Sequence, residues 1–553
     1  MQTALHEFLL QQPVLVFFLV LGLGYMIGNI RLFGISLGAV GGVLIAGLVF
    51  GHFGYTMYPG MQSMGFALFI FCVGYQAGPQ FFNVLLTSGL KYLSLALVVA
   101  GTGFVLAVGL SSVLGLAPGM AAGLLGGSLT TTPTLAAAQD AVRSGLVSVP
   151  EGFTSEELLT NIGAGYALTY LFGLIGLILI IRLLPKVLGL DLPAEAAKLT
   201  GGVDPEAGPD LSRLTCRTYQ ITHLEYGDKT VLELEREFFG KIIFAGIRRD
   251  GEELSIDDET RPMVGDEVLV VGDIDLILNR AHLSAQEISD KKGLSVPMIT
   301  TKVVVTQSAV VGRPLSEIEV NVHLGVLPLA VYRHRTELPL SRDMELRRGD
   351  VISFYGPEFA VDSLARHIGY VERAVDNTDL FTFALGIAAG IGIGALSISI
   401  GVVTIGLGMA GGLLVTGLVI GFLRSVWPIF GRVPSAARWV LMELGLLLFM
   451  AGVGLNAGGG IVEIIQSSGL QLLGAGIIVT LIPTLVGYFF GRKVLKLNPA
   501  EVLGGVTGSM TSGAALSVVT DAAKSNAPAL GYTGAYAFAN VILTVAGTLI
   551  MLI

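Results

Sequence analysis

Gly126-Gly127-Ser128-Leu129-Thr130-Thr131-Thr132-Pro133, with two glycines, four hydroxyls and a proline, breaks Gly123–Asp140, a stretch otherwise apolar enough to enter a membrane. A lipid-facing helix would not carry that interruption, because freed backbone groups in hydrocarbon find no water to satisfy them. The stretch recurs. Pro499 to Asp521 repeats Pro118 to Asp140 at a constant offset of 381 without gaps. Pro118, Gly123, Gly127, Ser128, Thr130, Leu135 and Asp140 match Pro499, Gly504, Gly508, Ser509, Thr511, Leu516 and Asp521. Two interrupted polar hairpins at corresponding places in two halves point to a transporter's binding site. Helix packing through small residues accounts for the glycines, but not for a Ser/Thr cluster beside a proline.

Composition sets the class around that pair. The chain has 553 residues, 14% of them charged, and a mean hydropathy of +0.74. Its 75 glycines are about twice the usual share. These values and the many long apolar runs describe a polytopic membrane protein. The net charge of −9 is unevenly spread. No basic patch with interleaved aromatics supports nucleic-acid binding. Cys72 and Cys216 suit neither a disulfide framework nor a metal site, and the seven histidines are scattered. No metal, cofactor or catalytic chemistry is implied. The N-terminus lacks a basic n-region and a small-residue cleavage site, so Pro13–Gly28 reads as a first transmembrane helix.

Expected spans in the first half are 13–29, 35–53, 61–78, 90–115 and 158–184, with the hairpin 118–141 between the last two. Those in the second half are 379–397, 403–423, 440–457, 468–491 and 530–552, with the hairpin 499–523 placed likewise. Between them the chain turns polar and charged. The expected domains are a membrane repeat at 1–188, two soluble domains at 189–288 and 289–372, and a second membrane repeat at 373–553. Leu37–Phe53 matches Leu407–Leu423 at 9 of 17 positions, and Gly65–Gly78 matches Gly445–Gly458 at 7 of 14. This is an internal duplication. Lys and Arg placement gives the orientation. Arg31, Lys91, Arg182, Lys186, Arg424, Arg432, Arg438, Arg492, Lys493, Lys496 and Lys524 share one side, with Arg143 the exception. The termini are then outside and the insertion cytoplasmic. Five crossings per half make the repeat inverted, with the hairpins entering from opposite faces.

The insertion is doubled as well. Ile247–Gly272 aligns with Val331–Gly356 at an offset of 84. Arg249, Leu254, Gly265-Asp266 and Gly272 match Arg333, Leu338, Gly349-Asp350 and Gly356. Each copy reads as strand, short helix, strand, turn, strand, helix. With the Leu232 and Leu315 helix starts, this resembles the C-terminal regulatory domain (RCK-C, or TrkA-C) of potassium-uptake and potassium-channel subunits. The whole chain then resembles the aspartate:alanine exchanger family of bacterial secondary transporters. The features that carry it are the Gly-rich second span of each half, the third span ending Gln76-Ala77-Gly78-Pro79, and the Ser/Thr-Pro hairpin. The resemblance implies antiport of aspartate, alanine, succinate or related small carboxylates across the bacterial inner membrane, and a homodimer. The fold class expected is an α-helical polytopic membrane protein with inverted repeats. Each half has about five transmembrane helices plus a re-entrant hairpin, and the central α/β insertion holds two RCK-C-like domains.

Hairpin tips offer helix N-termini that favour anions. The hydroxyls of Ser128, Thr130, Thr131 and Thr132, beside Pro133, add donors, as do Ser509, Thr511 and Ser512, beside Gly513, from the second hairpin. Capping of the hairpins' own backbone is the structural alternative. Gln76 and Asn456 correspond in repeat register and either face substrate or end a helix. Asp140 and Asp521 close the hairpins; either binds a coupling cation or serves a surface role. Tyr166 and Tyr536, each followed by Ala, read as interface anchors. A small molecule in a cleft between the soluble copies is the expected cytoplasmic regulator. Two rivals remain: a channel, because Cys72-Val73-Gly74-Tyr75 is similar to part of a potassium filter, and a membrane sensor without transport.

Overall fold

The computed structural model describes residues 2–32, 35–86, 90–199, 214–223, 229–231, 233–234, 242–254, 256, 259–273, 285–288, 298–315, 326–333, 336–338, 340, 344–371, 378–400, 403–427 and 430–553. They form two units, Met1–Ala196 with Asp376–Ile553, and Ala197–Val375.

In the first half, α1 (Gln2–Leu10) and α2 (Pro13–Gly28) precede a two-stranded ladder of β1 (Arg31–Leu32) and β2 (Ile35–Ser36). Then come α3 (Gly38–His52), α4 (Pro59–Leu86), α5 (Leu90–Leu114), α6 (Met120–Ser128), α7 (Thr132–Arg143), α8 (Ser155–Val187) and α9 (Leu192–Leu199). A capping box starts α8: Glu157 N–H donates to Thr154 Oγ1 at 3.2 Å, and Thr154 N–H to Glu157 Oε2 at 2.7 Å.

The unit at Ala197–Val375 contains two five-stranded sheets of one topology. In the first, β3 (Leu214–Ile221), β4 (Ile242–Arg249), β5 (Glu252–Leu254), β6 (Glu267–Asp273) and β7 (Ala285–Glu287) lie in the order β5-β4-β6-β3-β7. The second has β8 (Met298–Val305), β9 (Leu327–Arg333), β10 (Thr336–Leu338), β11 (Val351–Pro357) and β12 (Gly369–Val371), ordered β10-β9-β11-β8-β12, with α10 (Glu358–Ile368). The repeated Arg and Gly-Asp have one physical reason. Arg249 Nε and Nη2 donate to Asp266 Oδ1 and Oδ2 at 2.8 and 2.9 Å. Arg333 does the same to Asp350 at 2.7 and 2.6 Å. Each Asp also accepts the amide three residues before it, Met263 or Arg347, which closes the turn. Leu232 lies outside the described residues, and Leu315 is buried.

The second membrane half repeats the first. It has α11 (Leu380–Gly394), the ladder of β13 (Ser397–Ile400) and β14 (Val403–Gly406), then α12 (Gly408–Val426) and α13 (Ser435–Gly458). It continues through α14 (Ile461–Lys493), α15 (Pro499–Ser509), α16 (Gly513–Ala523) and α17 (Pro528–Leu549). Six described helices, α5, α8, α12, α13, α14 and α17, are long and apolar enough to cross a membrane. Helices expected from 35 and 403 begin only at Gly38 and Gly408. Their leading β-branched residues pair as strands instead, and the two glycines make the turn at φ +74° and +65°.

Glycine pairs hold the two halves together. α4 crosses α12 at Gly74 and Gly78 against Gly417 and Gly421; α3 crosses α13 at Gly47 and Gly51 against Gly454 and Gly458. A Cβ on Gly78 would lie 2.3 Å from the Leu418 carbonyl oxygen, and one on Gly51 2.1 Å from that of Leu455. Only small residues let backbones approach so closely. In repeat register these are one crossing made twice. They also remove the filter reading: Cys72–Tyr75 lies within α4, its carbonyls facing along the helix, and Tyr75 donates to Gly431 O at 2.7 Å.

The paired hairpins as candidate functional site

Each hairpin is two short helices with a three-residue tip. After α6, Thr130 N–H donates to Gly127 O at 3.0 Å and Thr131 N–H to Gly126 O at 2.8 Å. After α15, Thr511 N–H donates to Gly508 O and Ser512 N–H to Thr507 O, both at 3.0 Å. This is the Schellman pattern, whose left-handed position glycine usually fills. Here it holds threonine, at φ 54° for Thr130 and 53° for Thr511. Such a backbone costs roughly 1–3 kcal/mol per residue, and the side chains show what offsets it. Thr130 Oγ1 donates to Met510 O at 3.0 Å, and Thr511 Oγ1 to Thr130 O at 3.4 Å. The two tips touch through their strained residues.

Around this contact the hydroxyls divide. Ser128 Oγ is fully buried and has no hydrogen-bond partner among the described residues. Its repeat mate Ser509 donates back to Gly505 O at 2.8 Å. Thr134 Oγ1 reaches Thr131 Oγ1 at 3.3 Å and Leu543 O at 2.9 Å. Ser512 Oγ accepts the Ala515 amide at 3.3 Å and caps α16, whereas Thr131 makes no such cap on α7. The positive ends of α7 and α16 both start at the tips, where backbone N–H groups favour a negative charge. Pro133 gives up one of those donors.

Two threonines on α14 that the sequence reading passed over support the tips. Thr480 Oγ1 donates to Ser128 O at 3.0 Å, and Thr484 Oγ1 to Met510 Sδ at 3.2 Å. The usable signal was Thr480-Leu481-Ile482-Pro483-Thr484, a proline with flanking hydroxyls inside an apolar span. Tyr166 was also misread. It is fully buried rather than at an interface, and its hydroxyl lies 3.2 Å from Thr132 Oγ1. Its repeat mate is Tyr532, not Tyr536. Gly165 packs on the Met120 carbonyl as Gly531 packs on that of Glu501. Rings 166 and 170 stack at 5.3 Å and 25°, rings 532 and 536 at 5.3 Å and 26°.

The hairpins differ in exposure. α7 is buried from Thr132 to Val142. α16 exposes Gly513, Ala514, Ser517 and Asp521, a small, polar face unlike a lipid-facing one. Of the remaining candidates, Gln76 is half-buried on α4 and takes no part in the tip hydrogen bonds. Asn456 Nδ2 donates to Gln62 Oε1 at 3.1 Å, within a polar cluster beyond the tips. There Gln62 also donates to Gln139 Oε1 at 3.3 Å and accepts from Arg143 Nη2 at 2.7 Å. Asp140 is buried, its Oδ2 accepting the Ala410 amide at 2.9 Å. No group of three or more His, Cys, Asp or Glu that could hold a metal occurs among the described residues.

Two repeat-matched broken helices meeting tip to tip, within apolar helices that cross through glycine, define a multi-pass membrane permease. The chain belongs to the aspartate:alanine exchanger family. The family model described as Predicted Permease Membrane Region matches residues 16–186 and 382–552, once per half and more than half of the chain in all. A TrkA-C domain model matches residues 301–369. No solved structure matches the chain.

Proposed function

We propose that this permease is an antiporter of small carboxylates or acidic amino acids in the bacterial inner membrane, working by alternating access around the opposed hairpins. The tip-to-tip contact of two helix breaks carries the reading, because it gathers two helix N-termini and a set of hydroxyls at one place. Substrate-binding roles are proposed for Ser128, Thr130, Thr131, Thr132, Ser509, Thr511 and Ser512. Of these, the unpartnered Ser128 hydroxyl is a donor a carboxylate can use without breaking an existing bond. Gln76 and Asn456 lie outside the tip network and are proposed only as positioning groups. The Lys and Arg asymmetry supports termini outside and a cytoplasmic insertion, with the repeats inverted. On that orientation the exposed α16 face admits substrate from the cytoplasm, while the Gln62 cluster seals the outside. The soluble domains are proposed to hold a homodimer together and to bind a small-molecule regulator. Thr131→Val, Ser128→Ala and Ser509→Ala test the site: exchange in proteoliposomes falls at least tenfold while folded protein remains in the membrane. Wild-type exchange in all three sinks the assignment.

A further inference from the structure

The hairpins share a sequence pattern, yet their closing carboxylates are in different situations. Asp140 is seated on the first turn of α12, its Oδ2 accepting the Ala410 amide at 2.9 Å. That seat is shaped for it. Gly408 turns at φ +65°, and a Cβ there would lie 2.8 Å from Asp140 Oδ2. In repeat register the same seat exists at α3, where Val40 stands for Ala410. Gly38 turns at φ +74°, and the residues before each helix, Leu37 and Leu407, share a backbone: φ −67°, ψ −20° and φ −75°, ψ −21°. Neither helix has a side-chain cap from its own N-cap residue. The α3 seat stands open: a Cβ on Gly38 meets nothing within 4 Å among the described residues. Gly38, Ala39 and Val40 are partly exposed, where Gly408 and Ala410 are buried. Asp521, the repeat mate of Asp140, is exposed on α16.

We propose that α12 and α3 are alternating seats for two latch carboxylates. Asp140 holds α12 in the state seen here; Asp521 holds α3, through the Val40 amide, in the oppositely open state. This rests on the alternating-access reading above. The reason is the repeat itself. Two halves of equal local geometry exchange conformations when the protein opens the other way, so a contact made by one half passes to its mate. A helix N-terminus is a favourable place for a carboxylate in either half. Only one seat is filled at a time because each filled seat packs its hairpin against the partner half's helix. Asp140 and Asp521 are then positioning residues that set the balance of states, and they contact no substrate.

The test uses the full chain in proteoliposomes with Cys72→Ser and Cys216→Ser, and reporter thiols at the repeat-matched positions Ala136→Cys and Ser517→Cys. Labelling by a membrane-permeant maleimide reads the two states without substrate. Asp140→Asn should raise labelling at position 136 at least threefold and lower it at 517. Adding Asp521→Asn should reverse at least half of that change, because both seats are then weakened. No shift with Asp140→Asn, or a second substitution that leaves the shift intact or enlarges it, overturns the proposal. A second measurement covers loss of folded protein in the Asp140→Asn chain, because its first cysteine pair keeps Asp140 intact. Val40→Cys with Asp521→Cys should crosslink slowly under oxidation, and Ala410→Cys with Asp140→Cys quickly. Absence of the first crosslink while the second forms also overturns it. If no carboxylate exchanges but labelling shifts as expected, the latch stands and the substrate reading alone fails.

Discussion

Ser128 and Ser509 are one position met twice in different hydrogen-bonding situations. Ser509 is bonded within its own helix, whereas Ser128 is buried with nothing to donate to among the described residues. A buried unpaired polar group costs about 1–3 kcal/mol. Ser128→Ala should therefore leave thermal stability unchanged or raised while exchange falls; thermal unfolding of the detergent-purified protein read beside transport checks both. Ser509→Ala should instead lose about 0.5–1.5 kcal/mol of stability. In the unit at Ala197–Val375 the Arg–Asp pairs set a second contrast. Arg333 and Asp350 are 2% and 0% exposed, Arg249 and Asp266 30% and 2%. Asp350→Asn leaves the Arg333 charge buried without a counter-ion, a loss of about 3–5 kcal/mol; Asp266→Asn should cost less, because water reaches Arg249. At Asp266 burial pushes the carboxyl up, but the Arg249 side chain and the Met263 amide outweigh it, so it sits below the ordinary carboxylate range. A carboxyl lowered on folding stabilises above its unfolded pKa of about 3.9 and stops doing so as pH falls through the lower folded value. Hydrogen-exchange protection of β4 and β6 in the intact protein should hold at about pH 5 and above and weaken below the unfolded pKa. Protection that rises on acidification would contradict this.

At the scale of elements, the glycine crossings dominate. Gly51→Ala or Gly78→Ala forces a methyl into backbone and should cost at least the roughly 1–3 kcal/mol typical of overpacking. Gly101→Ala on α5, where a Cβ meets nothing within 4 Å among the described residues, should be neutral. Folded yield after membrane extraction separates the three. The hairpins were legible in the sequence because a Gly/Ser/Thr/Pro interruption in an apolar run has few physical meanings, and the ungapped repeat doubles the signal. The helix ends at Ser128 and Ser509 and the restarts at Thr132 and Gly513 fall inside the interrupted stretches. The short ladders before α3 and α12 were not legible, since Ile35-Ser36 and Val403-Thr404-Ile405 suit a strand or an apolar helix equally. Tyr166 was assigned the wrong mate because a Tyr-Ala match outweighed packing against the preceding hairpin, which no linear alignment contains. Nor could repeat register foresee that Asp140 is buried and Asp521 exposed, since one sequence pattern stands in both surroundings.

For the whole molecule, the insertion interrupts the duplication at its centre. Replacing residues 205–370 by a flexible linker should leave exchange intact and remove a response to cytoplasmic ligands; wild-type regulation in the shortened chain would contradict the regulatory role. The touching hairpins are proposed to form a carboxylate exchange site. Counterflow tests it most directly: proteoliposomes loaded in turn with unlabelled aspartate, alanine and succinate, assayed for uptake of the labelled acids. Transient accumulation is expected with at least one pair, dependent on internal substrate and lost in Ser128→Ala. Uptake that ignores internal carboxylate, or an ion conductance without exchange, would contradict it.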